Sequence, residues 1–334
     1  MKNNIKVMLS DTYDPWFNLA TENWIFHDME PNCHTLFLWR NDNTVVIGRF
    51  QNPWTECNLK LMEEDGVKLA RRQSGGGAVY QDLGNTCFTF MNGKEHYNKN
   101  ANNTILRHAL RRFEIEAQAH GRNDIVVDHR KISGSAFKEN IDRSFHHGTL
   151  LIDTDLGRLA QYLNPDKKKL MSKGISSVRS RVANLKEFNS EINHENLCQA
   201  IIEEFFKFYN EKCEVEILDN STLKKIPSLN AYYCQLKDWD WRFGKTPSFS
   251  HQLEERFNWG GVQMHLDVKH AVISKCVIFS DSLKPEFIEV LGKSLENVPY
   301  QKDQTLRAVE LIDKEGIYQK EIEDVKNWLA KEID

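Results

Sequence analysis

Three consecutive glycines beside two arginines are the part of this sequence most suited to chemistry. The run Arg71-Arg72-Gln73-Ser74-Gly75-Gly76-Gly77-Ala78-Val79-Tyr80 places a stretch without side chains between two strand-like segments. Glycine weakens a strand, so a triplet there implies a bend or the close approach of a ligand. Exposed N–H groups can cradle phosphate while a neighbouring guanidinium forks its oxygens, so the run with its two arginines favours an anionic ligand. A flexible hairpin with solvated arginines fits the same composition, and the glycines alone leave both readings open.

A second run, Arg130-Lys131-Ile132-Ser133-Gly134-Ser135-Ala136, places a lysine on a strand and follows it with small residues that leave room for a narrow ligand. A fixed ammonium there suits acyl-adenylate chemistry: it offsets repulsion between a carboxylate and an α-phosphate and stabilises the charge of the transition state. An ordinary exposed lysine at a strand start would look the same. The third run begins at Asn164-Pro165-Asp166-Lys167-Lys168-Lys169-Leu170 and continues through Lys173 to Arg179 and Arg181. It reads either as a basic loop that closes on phosphate or docks an acidic carrier, or as a solvated face.

Familiar nucleotide signatures are absent. Gly244-Lys245-Thr246 and Gly292-Lys293-Ser294 both lack the glycine that a Walker A loop needs five positions earlier, where Trp239 and Phe287 stand. No GxGxxG, HExxH or GxSxG occurs, so phosphate chemistry needs another scaffold. His146 and His147 are adjacent on a strand and point to opposite faces, which favours core or hydrogen-bonding roles. The seven cysteines are scattered and form no CxxC or zinc spacing. A net charge of -4 excludes a global nucleic-acid signature.

These residues need elements to position them. Asp14 as N-cap, Pro15 at the first helical position and the spacing of Phe17, Ala20 and Trp24 predict an amphipathic helix over 14–29. The runs 35–39, 44–48, 67–71, 77–81 and 86–91 predict strands. A helix is expected over 101–113, strands over 125–127 and 131–137 around a turn at Asp128-His129, and a strand over 145–152. After a helix near 194–210, the polar, Trp-rich stretch 236–250 reads as a connection. Strands near 261–267 and 271–279 then precede three helical stretches, the last over 317–332. The pattern is mixed α/β without regular βαβ alternation. It predicts an α+β chain of two domains, 1–245 and 250–334. No leader or membrane-length apolar run is evident, so a cytoplasmic location is expected.

Taken in order, the blocks DTYDPWFNLA (11–20), WRN (39–41), TVVIGR (44–49), QNPW (51–54), RRQSGGGAVYQDLGNTCFTF (71–90), GRND (121–124), RKISGSAF (130–137), HHGTLL (146–151) and KGISSVRSRV (173–182) make the sequence resemble the bacterial lipoate-protein ligase A family in its long form. The resemblance implies a biotin/lipoyl-ligase-like catalytic domain of mixed sheets flanked by helices, with a small α+β accessory domain that reorients after adenylation. It implies ATP and Mg²⁺, with lipoate activated as lipoyl-AMP and passed to a lysine of lipoyl domains of E2 subunits or H protein. By the same resemblance Arg72, Gly77, Ala78, Val79, Tyr80 and Lys131 contact ATP or adenylate, and Asp124 sits near the nucleotide and Mg²⁺. Ser74, Gly75, Gly76, Gly77 and Lys131 hold lipoate, and the stretch 167–181 is the adenylate-binding loop. Octanoate is a further expected substrate, a monomer the expected state, and neither nucleic acid nor membrane an expected partner. Two departures stand out: Gln81 replaces the His of many relatives, and the connection between Val127 and Arg130 is short. An octanoyl transferase of the same fold would need a cysteine near the Lys131 run, where none lies.

Overall fold

The computed structural model describes residues 4–28, 30–163, 182–243, 251–269, 271–313 and 316–333. The basic run 164–181 therefore lies outside the described residues.

In chain order the strands are β1 (Asn4–Ser10), β2 (Cys33–Trp39), β3 (Thr44–Ile47), β4 (Lys68–Arg71), β5 (Val79–Gln81), β6 (Asn85–Gly93), β7 (Gln118–His120), β8 (Asp124–Val127), β9 (Arg130–Glu139), β10 (Arg143–Leu151), β11 (Val215–Leu218), β12 (His251–Phe257), β13 (Gly260–Lys269) and β14 (Val272–Ser280). Among the described residues they form a large mixed sheet of order β11-β1-β2-β6-β10-β9-β8-β7, a small sheet β4-β3-β5, and a meander β12-β13-β14. β1 is parallel to both neighbours, whereas β2, β6, β10 and β9 run antiparallel in turn.

The centre of the large sheet is apolar on both faces because helices cover both. In β2, Leu36 and Leu38 pack with Ile105 and Leu106 of the helix Lys99–Arg111 and with Leu197, Ile201 and Phe205 of the helix His194–Tyr209. Phe37 and Trp39 point the other way, onto Phe17, Leu19 and Phe26 of the helix Pro15–Asp28 and Leu229 of the helix Pro227–Lys237. A period of two thus feeds two cores, which is why the segment reads as a continuous apolar run.

The chain divides into two compact units. The first comprises Met1–Ile47, Pro53–Gln73 and Ala78–Arg242; the second comprises Gly48–Asn52, Ser74–Gly77 and Phe243–Asp334. In the second, helices Pro285–Leu295 and Gln319–Glu332 set Phe287, Leu291, Val325 and Trp328 against Trp259, Met264 and Ile278 of the meander.

Of the stretch 236–250, expected as a connection, 244–250 lie outside the described residues and 236–243 are helical: they hold the end of Pro227–Lys237 and a short helix, Trp239–Phe243. Trp241 Nε1 donates to the Arg71 carbonyl at 2.9 Å, and Arg71 returns two hydrogen bonds of 2.8 Å to the carbonyls of Trp241 and Arg242. An amphipathic indole in a polar run was satisfying backbone, which a turn signal such as Gly-Lys does not reveal.

Candidate functional site

The β8–β9 hairpin carries the lysine. Asp128 and His129 have φ of 48° and 62° and link Val127 to Arg130, the two-residue geometry of a type I′ turn. Neither is glycine, but Asp and His tolerate the left-handed region better than most residues. A register shift between Ile125 and Val126 then sets Lys131 opposite Val126 while Asp124 faces Gly134. Across that diagonal, Lys131 Nζ reaches Asp124 Oδ1 at 2.7 Å, with the two side chains 22% and 7% exposed.

The backbone on either side is fixed. The Ala183 N–H donates to the Lys131 carbonyl at 2.9 Å. Asn123 clamps Ser135 with its carbonyl and its side-chain amide at 2.8 and 2.9 Å.

Arg72 lies elsewhere in the same unit. Its N–H bonds the Ile47 carbonyl at 3.0 Å and its Nη1 the Val46 carbonyl at 3.1 Å, and it is buried. Burial pulls its pKa down to about 10, while the charge of Glu22 opposes the drop. The guanidinium therefore stays charged at neutral pH.

Glu22 belongs to a polar cluster that the sequence reading missed. Its Oε1 accepts from Thr89 Oγ1 at 2.7 Å and from His147 Nδ1 at 2.7 Å, and Thr89 Oγ1 accepts from Trp39 Nε1 at 3.3 Å. Because a carboxylate only accepts, the His147 proton sits on Nδ1. A Glu at the eighth position of an aromatic helix looks like part of its polar face. The signal would have been that the apolar residues around it leave no solvent side.

His146 takes the opposite face, as adjacency on a strand requires. It stacks on Phe137 at 4.7 Å, and burial lowers its pKa to about 3, helped by the charge of Lys99.

The expected phosphate cradle is only partly of one kind. Val79 and Tyr80 are in β5, and the buried Tyr80 ring lies 5.4 Å from Tyr162, with its hydroxyl donating to Asn43 Oδ1 at 3.3 Å. Ser74–Gly77 group with the second unit, where the Gly76 N–H donates to the Ser282 carbonyl at 3.0 Å. A Cβ on Gly75 would collide with that same carbonyl oxygen, and Gly76 has φ 92°. Two of the three glycines are thus required by backbone packing, a use of glycine that composition cannot separate from ligand approach. Gln81 Oε1 accepts from Asn41 Nδ2 at 2.8 Å, and Asn41 Oδ1 accepts from Asn18 at 2.9 Å, so Gln81 ends a buried amide chain.

Among the described residues no group of three His, Cys, Asp or Glu side chains could hold a metal, and no helix is long and apolar enough to cross a membrane. A single carboxylate such as Asp124 fits Mg²⁺ only when phosphates bring most of its ligands.

Comparison with known proteins defines the class. Residues 14–206 match the family model of the lipoyl protein ligase A/B catalytic domain, and residues 246–329 that of the bacterial lipoate protein ligase C-terminus. The chain is 54% identical over 336 residues to lipoate-protein ligase A of Psychrobacter cryohalolentis, covering 99% of each. The crystal structure of P. falciparum LipL1 in complex with lipoate superposes with a TM-score of 0.88 at 37% identity, covering 98% of this chain and 100% of that one. A lipoate-protein ligase A bound with ATP shares the fold, with a TM-score of 0.63 at 24% identity over 73% of this chain and 99% of that one. The chain belongs to the lipoate-protein ligase A family.

Proposed function

We propose that the chain is an ATP-dependent lipoate-protein ligase working through lipoyl-AMP. The lipoate carboxylate oxygen attacks the α-phosphorus of ATP and pyrophosphate leaves. The ε-amine of a carrier lysine then attacks the acyl carbon of the mixed anhydride, loses a proton and expels AMP.

The observation that carries this reading is the placement of Lys131. An ammonium held by a carboxylate on a pinned strand suits a step in which two anions must meet. On binding, the substrate carboxylate and α-phosphate take over from Asp124 as partners of the Lys131 ammonium. Asp124 is the residue that would hold Mg²⁺ brought by ATP, and the metal would offset charge on the leaving pyrophosphate. Arg72, charged and buried, faces the phosphates, and the backbone of Ala78, Val79 and Tyr80 lies along the nucleotide. The first unit is the catalytic domain and the second the accessory domain.

The partners proposed are lipoate and octanoate as acyl donors, and lipoyl domains of E2 subunits and H protein as acceptors. A cytoplasmic monomer is the proposed working form. The test is intact-mass analysis of an apo carrier domain after incubation with this protein, lipoate and MgATP. One added lipoyl group per carrier, dependent on ATP, supports the reading; an unmodified carrier overturns it.

A further inference from the structure

Lys131 reaches Asp124 by lying across Gly134. A Cβ added at Gly134 would fall 2.7 Å from Lys131 Nζ and 2.9 Å from its Cε, closer than side-chain atoms tolerate. The backbone at this point cannot yield instead. Gly134 pairs with Asp124 on one side and Thr149 on the other, and a Cβ on Gly148 would already lie 2.7 Å from the Gly134 carbonyl oxygen. Asn123 holds the next residue, Ser135, by two hydrogen bonds.

Gly134 also has no positive φ, so nothing in its own conformation calls for glycine. In a strand interior that absence of a side chain costs stability, and glycine there marks a close approach. The approaching group is the ammonium of Lys131. We propose that Gly134 is a positioning residue: its missing side chain is the seat that fixes the Lys131 ammonium flush with the sheet, and Asp124 opposite is the latch that keeps it there.

The catalytic consequence rests on the role proposed for Lys131, whereas the seat itself does not. Filling it with a methyl group expels the flexible end of Lys131 and leaves an alanine in extended backbone that alanine adopts readily. The Gly134→Ala variant should therefore fold as well as the parent while its Lys131 is displaced.

The experiment is competitive acetylation of the full chain with a limiting amine reagent, read for the peptide containing Lys131 by mass spectrometry, beside adenylation measured as pyrophosphate release. In Gly134→Ala and in Asp124→Asn, Lys131 labelling should rise several-fold toward that of exposed lysines, with Tm within a few degrees of the parent. The double variant should label no more than either single one, because both open the same seat. If the parent is a ligase, kcat for pyrophosphate release falls at least tenfold in Gly134→Ala with a smaller change in KM for lipoate. Unchanged labelling in folded Gly134→Ala overturns the seat. A parent without activity but with the labelling response overturns only the role of Lys131.

Discussion

His147 Nδ1 lies 2.7 Å from Glu22 Oε1, and this contact joins the first helix to β10 through a carboxylate that is buried. Glu22 also accepts from Thr89 and opposes the pKa drop of the buried Arg72. Removing it takes the acceptor from Thr89 and His147 and a compensating negative charge from the surroundings of Arg72. Glu22→Ala should lower unfolding free energy by about 3 kcal/mol in urea titrations, the scale of breaking a buried charged network. An unchanged midpoint would show the cluster to be incidental.

Gly75 and Gly134 test two uses of glycine. At Gly75 the obstacle to a Cβ is backbone, the carbonyl of Ser282, which cannot rotate away. Gly75→Ala should therefore lower stability by about 1–3 kcal/mol as overpacking does, measured by differential scanning calorimetry. A methyl group tolerated without loss would mean that the 74–77 segment does not depend on this packing.

His146 supplies a pH dependence. Its folded pKa of about 3 lies below the unfolded value, so the unfolded chain binds the proton more tightly. The stabilisation is complete above the unfolded pKa of about 6.5 and is lost as pH falls toward the folded one, at roughly 1.4 kcal/mol per pH unit for one proton. His194, lowered to about 4 by burial and the charge of Arg40, acts with the same sign. Urea unfolding from pH 7 to pH 5 should show falling stability, and His146→Phe should flatten the slope by close to one proton. Parallel slopes in parent and variant would contradict this.

The side chains of Arg71 and Trp241 each donate to the other's carbonyl, joining β4 to the short helix Trp239–Phe243. Arg71→Ala removes two charged donors from carbonyls, and amide hydrogen exchange over 239–243 should accelerate at least tenfold while β6 and β10 stay protected. Uniform protection across the variant would place the helix's stability elsewhere.

The elements that carried strong periodicity were legible from sequence. Phe17, Ala20 and Trp24 marked the first helix, and Asp128-His129 marked the turn that aims Lys131. β1 and β11 were missed because each is a short parallel strand whose partner is distant in sequence, so no hairpin signal exists. The Lys131–Asp124 pairing was half legible. Both residues stood in chemically suggestive blocks, but their contact depends on a register shift at Ile125/Val126 that no local pattern encodes. The glycine triplet reads in sequence as a bend or the approach of a ligand, whereas its packing on Ser282 depends on a residue some two hundred positions away.

The most direct measurement is pyrophosphate release by Lys131→Met against the parent at saturating lipoate and MgATP, with the fold of both checked by circular dichroism. A folded variant whose release falls by at least a thousandfold is the expected result. A folded variant that forms adenylate at the parent rate would contradict the placement of Lys131 at the reacting atoms.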